Sequence, residues 1–296
     1  EAKVDITLGQ IRRNMKRKET LVEYFFAGTE SADTEEVFIF VLSKNDCHFY
    51  QSHVDPSFHQ NLEIIKTNLH DFVPYMESNA RFDSLKLALH EIYLDFVQPV
   101  EFLFRGNDLL IVPDEMLSYI PFDALISHLE NEGITNYAGV PYLINDYNIT
   151  YLYNSQLLIR NRYRPGPFPD LIAWIPKSST ATGPTFDKLK GAAEEVQDIL
   201  RFVKGKSIQK PLEKSEVVDL LQENSILHLA MHSLTAENTG MSPYFILDTT
   251  ANPALKRRMH DYEINALTIS SPMVVLSSCE TAGGELRNGE GIMSLS

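Results

Sequence analysis

The sequence has few cysteines, lacks long apolar stretches and carries no excess of basic residues. Its 296 residues include 2 cysteines, too few for a disulfide framework. No apolar run approaches the roughly 20 residues that a membrane-spanning helix needs. The 26 Lys and Arg against 40 Asp and Glu give a formal net charge of −14, which offers little electrostatic support for binding nucleic acid or an anionic membrane. We therefore expect a soluble protein of a reducing compartment, the cytoplasm.

The length allows one large domain or two modest ones. The chain begins with Glu1, and its last residues, 291–296, are typical of the start of an apolar helix without a capping signal behind it. We expect both ends to continue in a longer protein.

The first part of the sequence predicts a small segment of helices and a hairpin. Polar and apolar residues alternate with helical spacing over 6–24, and residues 35–42 form a β-rich run that residues 47–51 could pair with as a hairpin. Two helices follow, over 56–76 and over 81–98, the second ending at Pro99. We place a first segment at 1–80 and a second domain at 81–296.

Beyond residue 100, short apolar runs alternate with helical stretches. Nearly continuous apolarity indicates strands that are buried on both faces, as in a parallel sheet under helices. The best helices lie at 188–203 and 213–222, each before a strand. The layout predicts an α/β fold with a mostly parallel central sheet. The predicted strands are 109–112, 149–152, 171–174, 226–230, 244–247 and 273–276.

The residues best suited to catalysis follow two of the predicted strands. The strand at 226–230 leads to His232, and the strand at 273–277 leads to Cys279. If these strands are parallel neighbours, both side chains emerge at the edge of the sheet where α/β proteins place their sites. His232 precedes Cys279 by 47 residues, close to the caspase spacing of about 50. A histidine beside a cysteine can stabilise the thiolate and protonate a leaving amine. The alternative is a structural cysteine and a loop histidine.

Other polar residues near these ends are weaker candidates. Asp248 follows a strand directly, and Glu280 and Glu290 flank Cys279, where they would attract a basic substrate side chain. Cys47 and His48 are adjacent on a predicted strand and point to opposite faces, so they make a poor dyad or metal pair. Candidates for a third, orienting group are His228, Asp248, His260 and Asp261, with His228 more typical of a core histidine because it lies mid-strand.

Several segments together resemble the CHAT domain, a caspase-like peptidase domain that is related to separase and found attached to tetratricopeptide repeats. They occur in the family's order and cover about 85 to 296. The segments are 109-LLIVPDEMLSYIPFDAL-125, 142-YLINDYNITYLYNSQLL-158, 188-KLKGAAEEVQDIL-200, 226-ILHLAMHS-233 and 274-VVLSSCETAGGELRNGEGIMSLS-296.

This resemblance implies a caspase-like sandwich at 81–296, cut short at its C-terminal end, acting as a cysteine endopeptidase on protein substrates. It implies a His232/Cys279 dyad, an oxyanion hole formed by the backbone N–H groups of Ser233 and Cys279, and no metal or organic cofactor. It also implies helical repeats outside this chain that recruit protein partners. The family usually has Thr-His-Gly where this chain has Met231, His232 and Ser233, which favours the alternative of an inactive scaffold or signalling module.

Overall fold

The computed structural model describes residues 6–27, 35–70, 79–129, 139–160, 169–176, 191–234, 242–247, 258–277, 285–287 and 291–293. The chain forms two compact units. The first unit comprises residues 1–162 with 286–291, and the second unit comprises residues 163–285 with 292–296. No helix among the described residues is apolar enough, over a sufficient length, to span a bilayer.

The first unit is built on a five-stranded mixed sheet in the order β3-β2-β1-β4-β5. β1, β2 and β3 are antiparallel, whereas β4 runs parallel to both β1 and β5. The predicted hairpin and the predicted strands at 109–112 and 149–152 are thereby confirmed. The elements are α1 (Leu8–Asn14), β1 (Glu19–Ala27), β2 (Glu36–Ser43), β3 (Cys47–His53), α2 (Phe58–His70), α3 (Asn79–Phe96), α4 (Gln98–Glu101), β4 (Asp108–Val112), β5 (Asn148–Tyr151) and α5 (Leu157–Arg160).

The helical prediction over 6–24 was wrong in its second half. α1 begins with a capping box, in which Thr7 and Gln10 bond each other's backbone N–H groups, but it ends at Asn14. Residues 19–27 form β1 instead, between β2 and β4. This segment is rich in β-branched and aromatic residues, and Leu21 and Val22 are buried in the sheet. Pairing on both sides satisfies its backbone and outweighs the helical spacing.

The core of the first unit lies between the sheet and helices α2 and α3. The predicted apolar face of α3 is confirmed, because Leu85, Leu89, Ile92 and Phe96 are all buried there with residues of β2. α3 ends at Phe96, and Pro99 lies in the first turn of α4, where a missing N–H is tolerated. Strands from before and after residue 80 share this one sheet. The predicted domain boundary at residue 80 stays a prediction.

Asp95 on α3 makes the stability of the first unit depend on pH. Burial raises the pKa of its carboxyl to about 6, and the nearby charges of Asp55 and Glu91 add to this. The folded chain therefore disfavours the carboxylate, and stability that is present below about pH 4 is lost as the pH rises through 6. We expect Asp95→Asn to stabilise the chain at pH 7.5 by about 1 kcal/mol, a value reduced because solvent screens this partly exposed group.

Urea unfolding of wild type and Asp95→Asn at pH 4 and pH 7.5 measures this effect. The gain should be present at pH 7.5 and close to zero at pH 4. Asp146→Asn, at an exposed position before β5, is the matched control and should change little at either pH. An equal gain at both pH values would contradict the assignment to Asp95.

The second unit is built on a four-stranded parallel sheet in the order β12-β8-β6-β7. A smaller antiparallel sheet, in the order β11-β10-β9, follows β8, and β13 pairs with β14. The elements of this unit are β6 (Leu171–Trp174), α6 (Ala192–Phe202), β7 (Gly205–Ile208), α7 (Lys214–Gln222), β8 (Ile226–Ala230), β9 (Ser233–Leu234), β10 (Tyr244–Ile246), β11 (Arg258–His260), α8 (Asp261–Asn265) and β12 (Val274–Ser277). The residues of β13 (Glu285–Arg287) and β14 (Gly291–Met293) are divided between the two units.

The central strands β6 and β8 are buried on both faces, as their apolar sequences predicted, whereas β12, at the edge of the sheet, is only partly buried. On one face, Leu227, Leu229 and Trp174 pack with the apolar side of α7. On the other, Ala173 and Ala230 pack with Ala192 and Val196 of α6. Small residues let α6 lie close to this second face. The predicted α/β class, with parallel strands flanked by helices, is confirmed.

Candidate functional site

His232 lies just beyond β8, on a backbone segment that is held from both sides. Met231 is buried between the end of β8 and His232. The carbonyl of His232 accepts a hydrogen bond from the N–H of Ile246 on β10, at 3.0 Å. The imidazole is partly exposed. The fold therefore fixes the position of the backbone at His232 and leaves its side chain accessible.

The strand that leads to Cys279 is the parallel neighbour of the strand that leads to His232. β12 pairs with β8 in a register that sets Ser277 opposite Ala230. The condition that the sequence set for the pair, two parallel neighbouring strands, is thus met. Cys279 lies outside the described residues, and the dyad stays a prediction. The same holds for the predicted cleft residues Asp248, Glu280 and Glu290.

Ser233 occupies β9, where it is buried and lies opposite Phe245 of β10. The hydrogen bond from Ile246 to His232 flanks this pair, so the Ser233 N–H is directed away from β10. Extended backbone suits serine as well as glycine. The replacement of the family's usual glycine therefore demands no left-handed conformation at this position.

A protein-family model described as the CHAT domain matches residues 86–296. The chain belongs to the CHAT family. The resemblance drawn from the sequence motifs is confirmed, and the parallel strands flanked by helices agree with the caspase-like, peptidase-related architecture of this family. No curated protein matches the chain.

Within the CHAT domain, sequence reasoning missed one residue beneath the candidate site. Glu195 of α6 accepts a hydrogen bond from the Ser277 hydroxyl, whose Oγ lies 3.1 Å from Oε1 and 3.0 Å from Oε2. The same carboxylate lies 3.4 Å from Nε2 of His228. Helical periodicity alone places Glu195 on the solvent side of α6, beside the buried Val196. Its role depends on which strands lie under the helix, and the sequence pattern does not carry that information.

His228 is a buried histidine of β8, as its mid-strand position predicted. The residue is 3% exposed, and its Nε2 is a buried atom without a hydrogen-bond partner among the described residues. It lies on the face of the sheet that α6 covers, two positions from Ala230. Glu195 is the charged group that its ring nitrogen approaches.

His260 and Asp261 lie at the start of α8. The Nδ1 atom of His260 is 2.9 Å from Oγ of Ser242, and the imidazole stacks on Tyr262 at 5.1 Å between ring centroids. His260 also forms a capping box with Glu263. These contacts stabilise the beginning of α8, and an orienting role for either residue in the CHAT site stays a prediction.

The other cysteine, Cys47, belongs to the first unit. Cys47 and His48 are consecutive exposed residues of β3, and consecutive strand residues point to opposite faces. The described part of the chain contains no group of three or more His, Cys, Asp or Glu side chains that could hold a metal ion. Cys47 is an exposed free thiol and so provides an internal reference for the reactivity of Cys279.

Proposed function

We propose that this CHAT domain is a cysteine endopeptidase that cleaves protein substrates, with Cys279 as nucleophile and His232 as its acid and base. The register of β8 with β12 carries the proposal. Ser277 pairs with Ala230 at the end of this ladder. If the same register continued for two more residues, position 279 would lie opposite His232, on the face that carries Ala230 and Ser277.

In the proposed reaction, the thiolate of Cys279 attacks the carbonyl carbon of the scissile peptide bond. A C–S bond forms, and the backbone N–H groups of Ser233 and Cys279 stabilise the oxyanion. The C–N bond then breaks as His232 donates a proton to the leaving amine. Water, deprotonated by His232, hydrolyses the resulting thioester and restores the free thiol. These steps require no metal or organic cofactor.

The acidic residues near Cys279 would determine which substrates enter. Glu280 and Glu290, with Asp248 after β10, would attract a basic side chain of the substrate. The net charge of −14 favours the same preference. Protein partners recruited by helical repeats outside this chain, and a cytoplasmic location, are further parts of the proposal.

A second candidate is a CHAT scaffold that binds protein partners without catalysis. The observation that favours it is Ser233, which stands where the family usually has glycine. A serine side chain beside the oxyanion position could obstruct the substrate carbonyl even though the backbone is extended. The two candidates differ in one measurable property, which is the reactivity of Cys279.

Alkylation by iodoacetamide at pH 7, quantified at both cysteines by peptide mass spectrometry, tests the proposal. A thiol with an ordinary pKa of about 8.5 is only about 3% thiolate at pH 7. A histidine-paired thiolate should react roughly tenfold faster, since its lower basicity offsets part of the gain. We expect Cys279 to react about tenfold faster than Cys47 in the same sample, and His232→Ala to remove that advantage.

The exposed His53 of β3 provides the matched control, and His53→Ala should leave the Cys279 to Cys47 ratio unchanged. Equal rates at the two cysteines in the wild-type chain would exclude the dyad and favour the scaffold. A fast reaction at Cys279 that survives His232→Ala would show a reactive thiol with a different base. A peptide-based thiol-reactive probe that labels Cys279 would then report on substrate binding.

A further inference from the structure

The carboxylate of Glu195 connects one helix to two neighbouring strands. It accepts the hydroxyl proton of Ser277 on β12 and lies 3.4 Å from the buried Nε2 of His228 on β8. Ser277 is opposite Ala230, and His228 is opposite Val275. The carboxylate therefore spans the β8–β12 pair diagonally, on the face that α6 covers.

This arrangement lies directly before both ends of the proposed site. Ser277 is the last residue of β12 and precedes Cys279 by two positions. His228 precedes His232 by four positions on β8 and the segment after it. Because strand residues alternate between faces, His228 and Ala230 share a face, as do Val275 and Ser277. Glu195 therefore contacts the last residue of β12 and approaches the middle of β8, on one face of the pair.

We propose that Glu195 is a positioning residue of the CHAT site, which holds the end of β12 through Ser277 and thereby directs the chain toward Cys279. The proposal rests on the proposed function for its chemical readout. His228 contributes a buried ring nitrogen facing the carboxylate, which favours one position of the Glu195 side chain over its other rotamers.

The contribution of Glu195 to global stability should be small. Its side chain is 43% exposed, and α6 is already held on the sheet by the buried Ala192 and Val196. The hydrogen bonds of the β8–β12 ladder do not depend on it. Loss of the carboxylate should thus change the local position of the strand end more than the unfolding midpoint of the chain.

Variants of both partners test the proposal through the alkylation ratio of Cys279 to Cys47. We expect Glu195→Ala and Ser277→Ala each to lower the ratio about fivefold to tenfold, with the unfolding midpoint nearly unchanged. Glu195→Gln should retain most of the ratio, because its amide oxygen still accepts the Ser277 hydroxyl. The double variant should match either single variant, since both remove the same interaction. Glu194→Ala, at the exposed neighbouring position, should behave as wild type.

A wild-type ratio in Glu195→Ala would overturn the positioning role while leaving the dyad intact. If the wild-type chain shows no fast reaction at Cys279, the proposed function fails, and amide hydrogen exchange over 274–277 decides the positioning role instead. Faster exchange there in Glu195→Ala, but not in Glu194→Ala, would support the hold on β12. Unchanged exchange would overturn it.

Discussion

Replacing Trp174 with alanine should destabilise the second unit by about 4 kcal/mol, roughly a thousandfold in its folding equilibrium. Trp174 is 0% exposed at the end of β6, between β7 and β8. It packs with the apolar side of α7, and its indole N–H donates to the carbonyl of Lys210 at 2.9 Å. Alanine would leave a cavity and remove the hydrogen bond to the Lys210 carbonyl.

Chemical denaturation followed by far-ultraviolet circular dichroism measures the change. Trp174→Phe provides the control, because it keeps most of the apolar volume and loses the indole N–H. It should cost about 1–2 kcal/mol, clearly less than alanine. A loss below about 1 kcal/mol for Trp174→Ala would contradict a filled core at this position.

In the first unit, Phe96→Ala should cost about 4 kcal/mol. The residue is 0% exposed at the end of α3, and its ring meets that of Phe58 edge-on, with centroids 5.4 Å apart. Its carbonyl accepts the hydroxyl of Tyr24 at 3.1 Å, a bond that alanine keeps. The loss should therefore report the apolar contacts of the ring, worth several kcal/mol for a buried phenylalanine.

Phe102→Ala is the matched control, since this phenylalanine is 80% exposed just after α4. It should change the free energy of unfolding by less than about 0.5 kcal/mol. Urea midpoints of the two variants and the wild type measure both effects, provided that the slopes of the unfolding curves are unchanged. Because both variants replace phenylalanine by alanine, the difference between them reports the burial of the side chain. Similar losses in both variants would contradict the core position of Phe96.

Sequence patterns predicted the strands well wherever apolar runs were short and continuous. β6 and β8 were predicted because a strand that is buried on both faces is a nearly continuous run of apolar residues. β1 was missed because its fit between β2 and β4 decides its conformation, and those partners lie far away in the sequence. Tertiary pairing outweighed the local spacing there.

Sequence analysis likewise located one residue of the candidate site and missed another. His232 could be located because it follows a recognisable strand, and the parallel pairing of β8 with β12 agrees with the expected shared edge. Glu195 could not be located from the sequence, because its proposed positioning role depends on side-chain contacts with His228 and Ser277 on two other elements. Periodicity describes which face a residue occupies and contains no information about its partners on other elements. The Cys279 side of the site remains a prediction from sequence and strand register.

Trp174 also gives the two units different spectroscopic signatures. It is the sole tryptophan of the 296 residues, and it lies in the second unit. Intrinsic fluorescence excited at the indole band therefore follows the second unit alone, whereas circular dichroism follows both. Coincident unfolding curves from the two signals would mean that the units melt as one cooperative system. Separate curves would mean that the four-stranded parallel sheet can open while the five-stranded sheet stays folded.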